Sequence, residues 1–178
     1  MKKIFLVFSA FLLISSVYAQ KGINKLTLAA DVGIPTGDFS ELFKPGPGIM
    51  AKLLFGISES DQITATTGIT FYGAKTEFID PDEKLTLRII PLLGGFRHTF
   101  NGGFFLEPQL GFGIYGATYK YLGESESNSD NAFTWAMGMG FSKNSFEAGV
   151  RYQSAEKDGS TSMVGIHVGY NFTLGGNK

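Results

Sequence analysis

Residues 132–142 read Ala-Phe-Thr-Trp-Ala-Met-Gly-Met-Gly-Phe-Ser. Phe133, Trp135, Met137, Met139 and Phe141 occupy alternate positions, and only small residues stand between them. A strand sends successive side chains to opposite faces, so this stretch has one wide apolar face and one narrow small-residue face. A helix would scatter the five large side chains around its axis, and the two glycines would weaken it.

The same period recurs in both directions along the chain. Seven further runs alternate in this way, over residues 25–34, 48–57, 62–72, 84–96, 103–115, 146–154 and 161–173. Most are near the 9–11 residues that a tilted strand needs to cross a bilayer. One face collects Leu26, Leu28, Val32, Ile49, Leu53, Ile63, Ile69, Leu87, Ile89, Leu110, Phe112, Val150, Ile166 and Val168, with no charge among them. The other face carries Asp31, Lys52, Arg88, Glu107, Glu147, Arg151 and His167, with many glycines between.

Alternation alone fits a soluble barrel with an apolar interior or a membrane barrel with an apolar exterior. Three features favour the second. The polar face is too sparse in charge and too rich in Gly for a soluble exterior, whereas a narrow lumen needs small residues between large polar ones. Its charges are of both signs, which suits ion pairing inside a barrel. Aromatics stand near strand ends at Phe71, Tyr72, Tyr115, Phe133, Trp135, Tyr152, Tyr170 and Phe172, as in an interface girdle. The expected architecture is all-β: an up-and-down antiparallel transmembrane β-barrel of eight strands.

The connections alternate in length. Long ones are expected at 35–47, 73–83 and 116–131 with a moderate one at 155–160, and short ones at 58–61, 97–102 and 143–145. Outer-membrane barrels have long external loops and short periplasmic turns. Both termini then fall on the periplasmic side. Asp38 with Glu41 resembles a helix capping box, so a helical turn is expected in the first long loop. Pro91 and Pro108 each remove a ladder donor, so a bulge or strand end is expected at each.

The N-terminus has the order of a secretory signal. Lys2 and Lys3 precede an uncharged apolar stretch from Ile4 to Val17, and Val17-Tyr18-Ala19 suits cleavage before Gln20. That stretch is shorter than the roughly 20 residues of a spanning helix. The expected division is a cleaved signal at 1–19 and a barrel domain at 20–178. The mature part has a net charge of −3 and holds all 24 glycines, about twice the usual share. It has no basic footprint for nucleic acid. Without Cys there are no disulfides and no thiolate metal ligands. No metal site, cofactor or catalytic residue is expected: the two histidines, His98 and His167, lack an adjacent nucleophile.

The chain resembles the small outer-membrane β-barrel proteins of the OmpA-like and PorT-like type. Ile34-Pro35-Thr36-Gly37-Asp38-Phe39 resembles their first external loop. Ile89-Ile90-Pro91-Leu92-Leu93 and Glu107-Pro108-Gln109-Leu110-Gly111-Phe112-Gly113 resemble successive central strands, and Val168-Gly169-Tyr170-Asn171-Phe172 resembles the closing strand. The resemblance implies outer-membrane lipid and lipopolysaccharide as surroundings, and the barrel-assembly machinery as a partner during insertion. Eight strands leave a lumen that side chains fill. The expected role is therefore structural or interactive, with Asp31, Lys52, Arg88, Glu107, Glu147, Arg151 and His167 as an interior polar network. A narrow porin-like channel and a soluble periplasmic lipocalin-like binding barrel are the alternatives.

Overall fold

The computed structural model describes residues 23–77, 83–122, 124–156 and 160–174. The signal segment and Asp80 and Asp82 of the second long loop lie outside them. The elements are β1 (Asn24–Thr36), α1 (Asp38–Leu42), β2 (Gly46–Gly56), β3 (Asp61–Gly73), β4 (Glu83–Thr99), β5 (Phe104–Tyr121), β6 (Glu124–Lys143), β7 (Phe146–Glu156) and β8 (Ser160–Leu174). Each strand pairs antiparallel with its neighbours in chain order, and β8 returns to β1 to close the sheet.

The register sets the barrel's size. A circuit across paired residues runs from Lys25 through Leu54, Thr64, Gly95, Gln109, Ala136, Gln153 and Met163 to Pro35, ten residues further along β1. With that stagger, eight strands tilt by about 40° and enclose a backbone cylinder of roughly 8 Å radius. Such a lumen holds one layer of side chains from each wall and little else.

The apolar face points outward. Leu28, Ile49, Leu110, Phe112, Phe133, Trp135, Phe141, Val150, Ile166, Val168 and Phe172 are all exposed, while Thr27, Lys52, Thr64, Glu107, Gln109, Thr134, Glu147 and Gln153 are buried. An apolar surface that encircles the molecule far exceeds what a soluble monomer leaves in water. The soluble lipocalin-like alternative needs the reverse arrangement.

Four local expectations are corrected. The phase of β4 is inverted: Ile89, Leu93 and Arg97 are buried in the lumen, and Arg88 with Leu92 and Phe96 points outward. The two prolines make neither bulge nor strand end. At Pro91 the β3–β4 ladder stops after Thr67↔Leu92 and resumes at Thr70↔Ile89 in unchanged register. At Pro108 the β4–β5 ladder skips from Gly95↔Gln109 to His98↔Leu106, again without a slip. Each missing donor opens a short gap that its neighbours bridge. The first loop does contain a helical turn, but its cap is Gly37 at φ 59 and no side chain caps it, so the Asp38–Glu41 box is absent. Finally, most of the expected loop 116–131 is strand: β5 and β6 pair without a break to Tyr121↔Glu124.

Val168 is 60 % exposed and sits opposite Ala30, midway along β1. In a bilayer, Val168→Arg is expected to destabilise the barrel by about 2–4 kcal/mol. Urea unfolding in lipid vesicles checks this, and an unchanged midpoint would place the residue away from lipid.

Candidate functional site: the barrel lumen and the sheet beyond its rim

At the short-turn end the lumen is closed by four charges from four strands. Lys52 on β2 places Nζ 2.8 Å from Glu107 Oε2 of β5 and 3.5 Å from Glu147 Oε1 of β7. Arg97 on β4 reaches both carboxylates. Its Nη2 donates to Glu107 Oε2 at 2.6 Å and its Nη1 to Glu147 Oε2 at 2.7 Å. All four side chains are buried, and two cations balance two anions. Full pairing is the condition under which buried charges persist. The Arg97 guanidinium also lies 3.7 Å from the Phe105 ring centroid, a stacked cation–π contact. Gln109 extends the cluster by donating to Glu107 Oε1 at 2.6 Å and to Thr66 Oγ1 at 2.8 Å. Space comes from the adjacent strand: a Cβ on Gly140, the β6 residue paired with Phe105, would stand 2.7 Å from the Phe105 ring.

Midway, His167 brings Nε2 to 3.5 Å from Glu147 Oε1. Asp31 accepts a hydrogen bond from Thr70 Oγ1 at 3.4 Å, and Arg151 points Nη1 toward Met50 Sδ at 3.5 Å. Toward the long-loop end the lumen becomes apolar. Phe39 of α1 packs with Tyr72, Ile89 and Met163. Its ring meets Tyr72 edge-on at 5.2 Å, and Tyr72 donates to Met163 Sδ at 2.8 Å. Thus α1 caps that end with an apolar plug. A 370 Å³ vestibule at the short-turn end ends against Arg97, and a 250 Å³ pocket beside Tyr115 lies at the other mouth.

Of the residues expected inside, Asp31, Lys52, Glu107, Glu147, Arg151 and His167 are buried in the lumen. Arg88 is not: it lies on the outer surface against Gly116, a consequence of the inverted β4 phase. Sequence reasoning missed Arg97, which it placed in the turn after β4. Among the expected girdle aromatics, Phe71, Phe133, Trp135, Tyr152, Tyr170 and Phe172 are exposed on the outside. Tyr72 and Tyr115 turn inward instead: Tyr72 is fully buried, and the Tyr115 hydroxyl lies 3.2 Å from that of Thr134. Both sit where the lumen is apolar and can hold a ring.

At the short-turn rim Ser58, Asp61 and His98 have the composition of a triad without its geometry. Ser58 Oγ donates to Asp61 Oδ2 at 2.8 Å, and Asp61 Oδ1 is 2.7 Å from His98 Nδ1. The hydroxyl is therefore bonded to the acid and not to the imidazole that would activate it. The bonds from His98 and Ser58 hold the Asp61 carboxyl below its ordinary pKa. Among the described residues no group of His, Asp and Glu is placed to hold a metal ion.

Beyond the barrel rim, β4, β5 and β6 continue as a three-stranded sheet. β3 leaves the ladder at Gly73↔Thr86 and β7 at Phe133↔Glu156. The faces of this sheet differ in charge. Lys84, Arg88 and Lys120 share the outward face with Thr118 and Ser127, whose hydroxyls are 3.0 Å apart. Glu83, Tyr119, Tyr121, Glu124, Glu126 and Asp130 share the face that continues the lumen wall, where the Tyr119 hydroxyl donates to Glu83.

No family model matches the sequence, and no curated protein matches it. Solved structures do match the fold. Ail, the attachment invasion locus protein of Yersinia pestis, in complex with the heparin analogue sucrose octasulfate, is 18% identical over 86% of this chain and 100% of that chain, with a TM-score of 0.68. Neisserial surface protein A is 10% identical over 85% and 97%, with a TM-score of 0.58. The N-terminal barrel domain of Pseudomonas aeruginosa OprF is 12% identical over 85% and 100%, with a TM-score of 0.55. The chain therefore has the fold of the small eight-stranded outer-membrane barrels.

Arg97→Met would leave two buried carboxylates against one cation, at a cost of about 3–5 kcal/mol. Adding Glu147→Gln restores neutrality and is expected to recover part of that loss, a coupling of about 0.5–3 kcal/mol. Equilibrium unfolding of both single variants and the double variant checks it; additive losses would mean that the two side chains act independently.

Proposed function

We propose that the protein is exported by its N-terminal signal, inserts into an outer membrane, and serves there in a structural or interaction role rather than as a channel or an enzyme. The observation that carries this reading is a filled lumen inside an apolar exterior: the Lys52–Arg97–Glu107–Glu147 cluster at one level and Phe39 on Tyr72 at another. The buried polar side chains, including Asp31, Arg151 and His167, act in this reading as a stabilising core and not as a conduction path. Both ends of the described barrel, Asn24 and Leu174, pair at the short-turn end, which suits a periplasmic origin for the chain. The closing strand through Phe172 is the segment that the assembly machinery would read.

Two features suit a binding role outside. The sheet of β4, β5 and β6 is a continuously paired platform where a long loop was expected. Its outward cations Lys84, Arg88 and Lys120 stand just beyond the apolar band, where phosphates of lipopolysaccharide would meet them. The opposite face carries carboxylates, with no Lys or Arg among its described residues. A sulfated polyanion of the kind bound to Ail is therefore a poor fit to that face.

Fractionation followed by a gel of boiled and unboiled protein tests the placement. Recovery in the outer-membrane fraction with a heat-dependent mobility shift is expected, and recovery in the soluble periplasm would overturn it. Planar-bilayer recording tests the closed lumen. No discrete conductance steps are expected under conditions where a porin gives them.

A further inference from the structure

Among the described residues, the sheet beyond the rim has a long open edge on β6. β5 and β6 pair continuously from Phe104↔Phe141 to Tyr121↔Glu124, but the β6–β7 ladder ends at Phe133↔Glu156. From Glu124 to Ala132, no strand among the described residues pairs with the far side of β6. At about 3.3 Å per residue that is roughly 30 Å of backbone edge. Open edges invite another strand, and proteins blunt them with proline, bulges, short length or charged side chains; the charges on this edge are all acidic and so bar only a partner of like charge. This edge has no proline, its register is unbroken, and it spans nine residues.

Its side chains narrow the choice of partner. Glu124, Glu126 and Asp130 lie on the face toward the barrel mouth, and Ser125, Ser127 and Ser129 lie on the other. A second copy paired edge to edge would bring acidic residues against acidic residues, which is unfavourable across a ladder. A strand with cations on the mouth side and small residues on the other would match both faces. We propose that the β6 edge accepts an extended peptide segment of a partner protein as an added strand, with Lys or Arg at alternate positions and small polar residues between them. Main-chain hydrogen bonds supply the attachment, and Glu124 and Glu126 select the charge. This inference rests on the reading that the sheet stands outside the membrane.

The test uses the full barrel in phosphatidylcholine nanodiscs and a fluorescent capped peptide of alternating Lys and Thr. A peptide with the same residues in two blocks controls for charge. Two forms N-methylated at every second amide, in opposite phase, control for strand pairing. The alternating peptide is expected to bind saturably and to protect amides of residues 124–132 from hydrogen exchange. One N-methylated phase is expected to bind about tenfold more weakly or worse, since it loses several hydrogen bonds of about 1 kcal/mol. The block peptide is expected to bind more weakly because it cannot set all its lysines on the acidic face. Glu124→Gln with Glu126→Gln should weaken binding while the heat-dependent gel shift persists. Equal binding of all the peptides would reduce the effect to charge attraction and overturn the proposal, as would binding without protection or no binding. A protein that fails to give the gel shift at all would instead contradict the membrane-barrel reading.

Discussion

The narrowness of the lumen is the constraint from which the rest follows. An eight-stranded barrel with this stagger encloses a space only wide enough for side chains. Whatever points inward must pack, and a charge that points inward is costly unless it finds a polar or charged partner. Arg97 meets both demands. Its planar fork joins Glu107 to Glu147, its face lies on Phe105, and Lys52 completes neutrality. The inward glycines follow from the same limit. A Cβ on Gly33 would clash with the Tyr72 hydroxyl, so that wall must be bare for the tyrosine to lie across the lumen.

Much of this was legible as a period of two. The eight strands, the outward aromatics of β6 and the inward Lys52, Glu107 and Glu147 follow from alternation between a lipid face and a lumen face. Legibility failed where the two faces stopped differing. From Ile89 to Leu93 every residue is apolar, because the lumen at that height is itself packed by Phe39, Tyr72 and Met163. The phase of β4 could then be anchored only by its charges, and Arg88 was the wrong anchor. Its position near the end of the apolar band lets a cation point outward. Arg97, the true interior cation, fell at the start of the short connection expected at 97–102 and read as part of a turn. The error ran the other way at 124–131, where Glu-Ser-Glu-Ser-Asn-Ser-Asp-Asn has the composition of a loop. There, pairing with β5 overrides local preference, as tertiary context often does in strands.

The fold divides the molecule's tasks by height. Strands within the apolar band hold the barrel in lipid, and the lumen cluster and the α1 plug close it from within. Three strands continue outward as a sheet with a basic outer face, an acidic inner face and an open edge. The same backbone ladder runs from the apolar band into this sheet without a break, so the binding surface proposed above is built on continuous strands, which would lower the entropic cost of binding.

The central claim is that the face bearing Trp135 lies in hydrocarbon. Trp135 is the only tryptophan, and it is exposed on the outer surface of β6. Its fluorescence in vesicles whose acyl chains carry bromine reports its surroundings directly. The account predicts strong quenching by the brominated chains and little quenching by aqueous acrylamide. Emission indifferent to brominated lipid and readily quenched from water would contradict it.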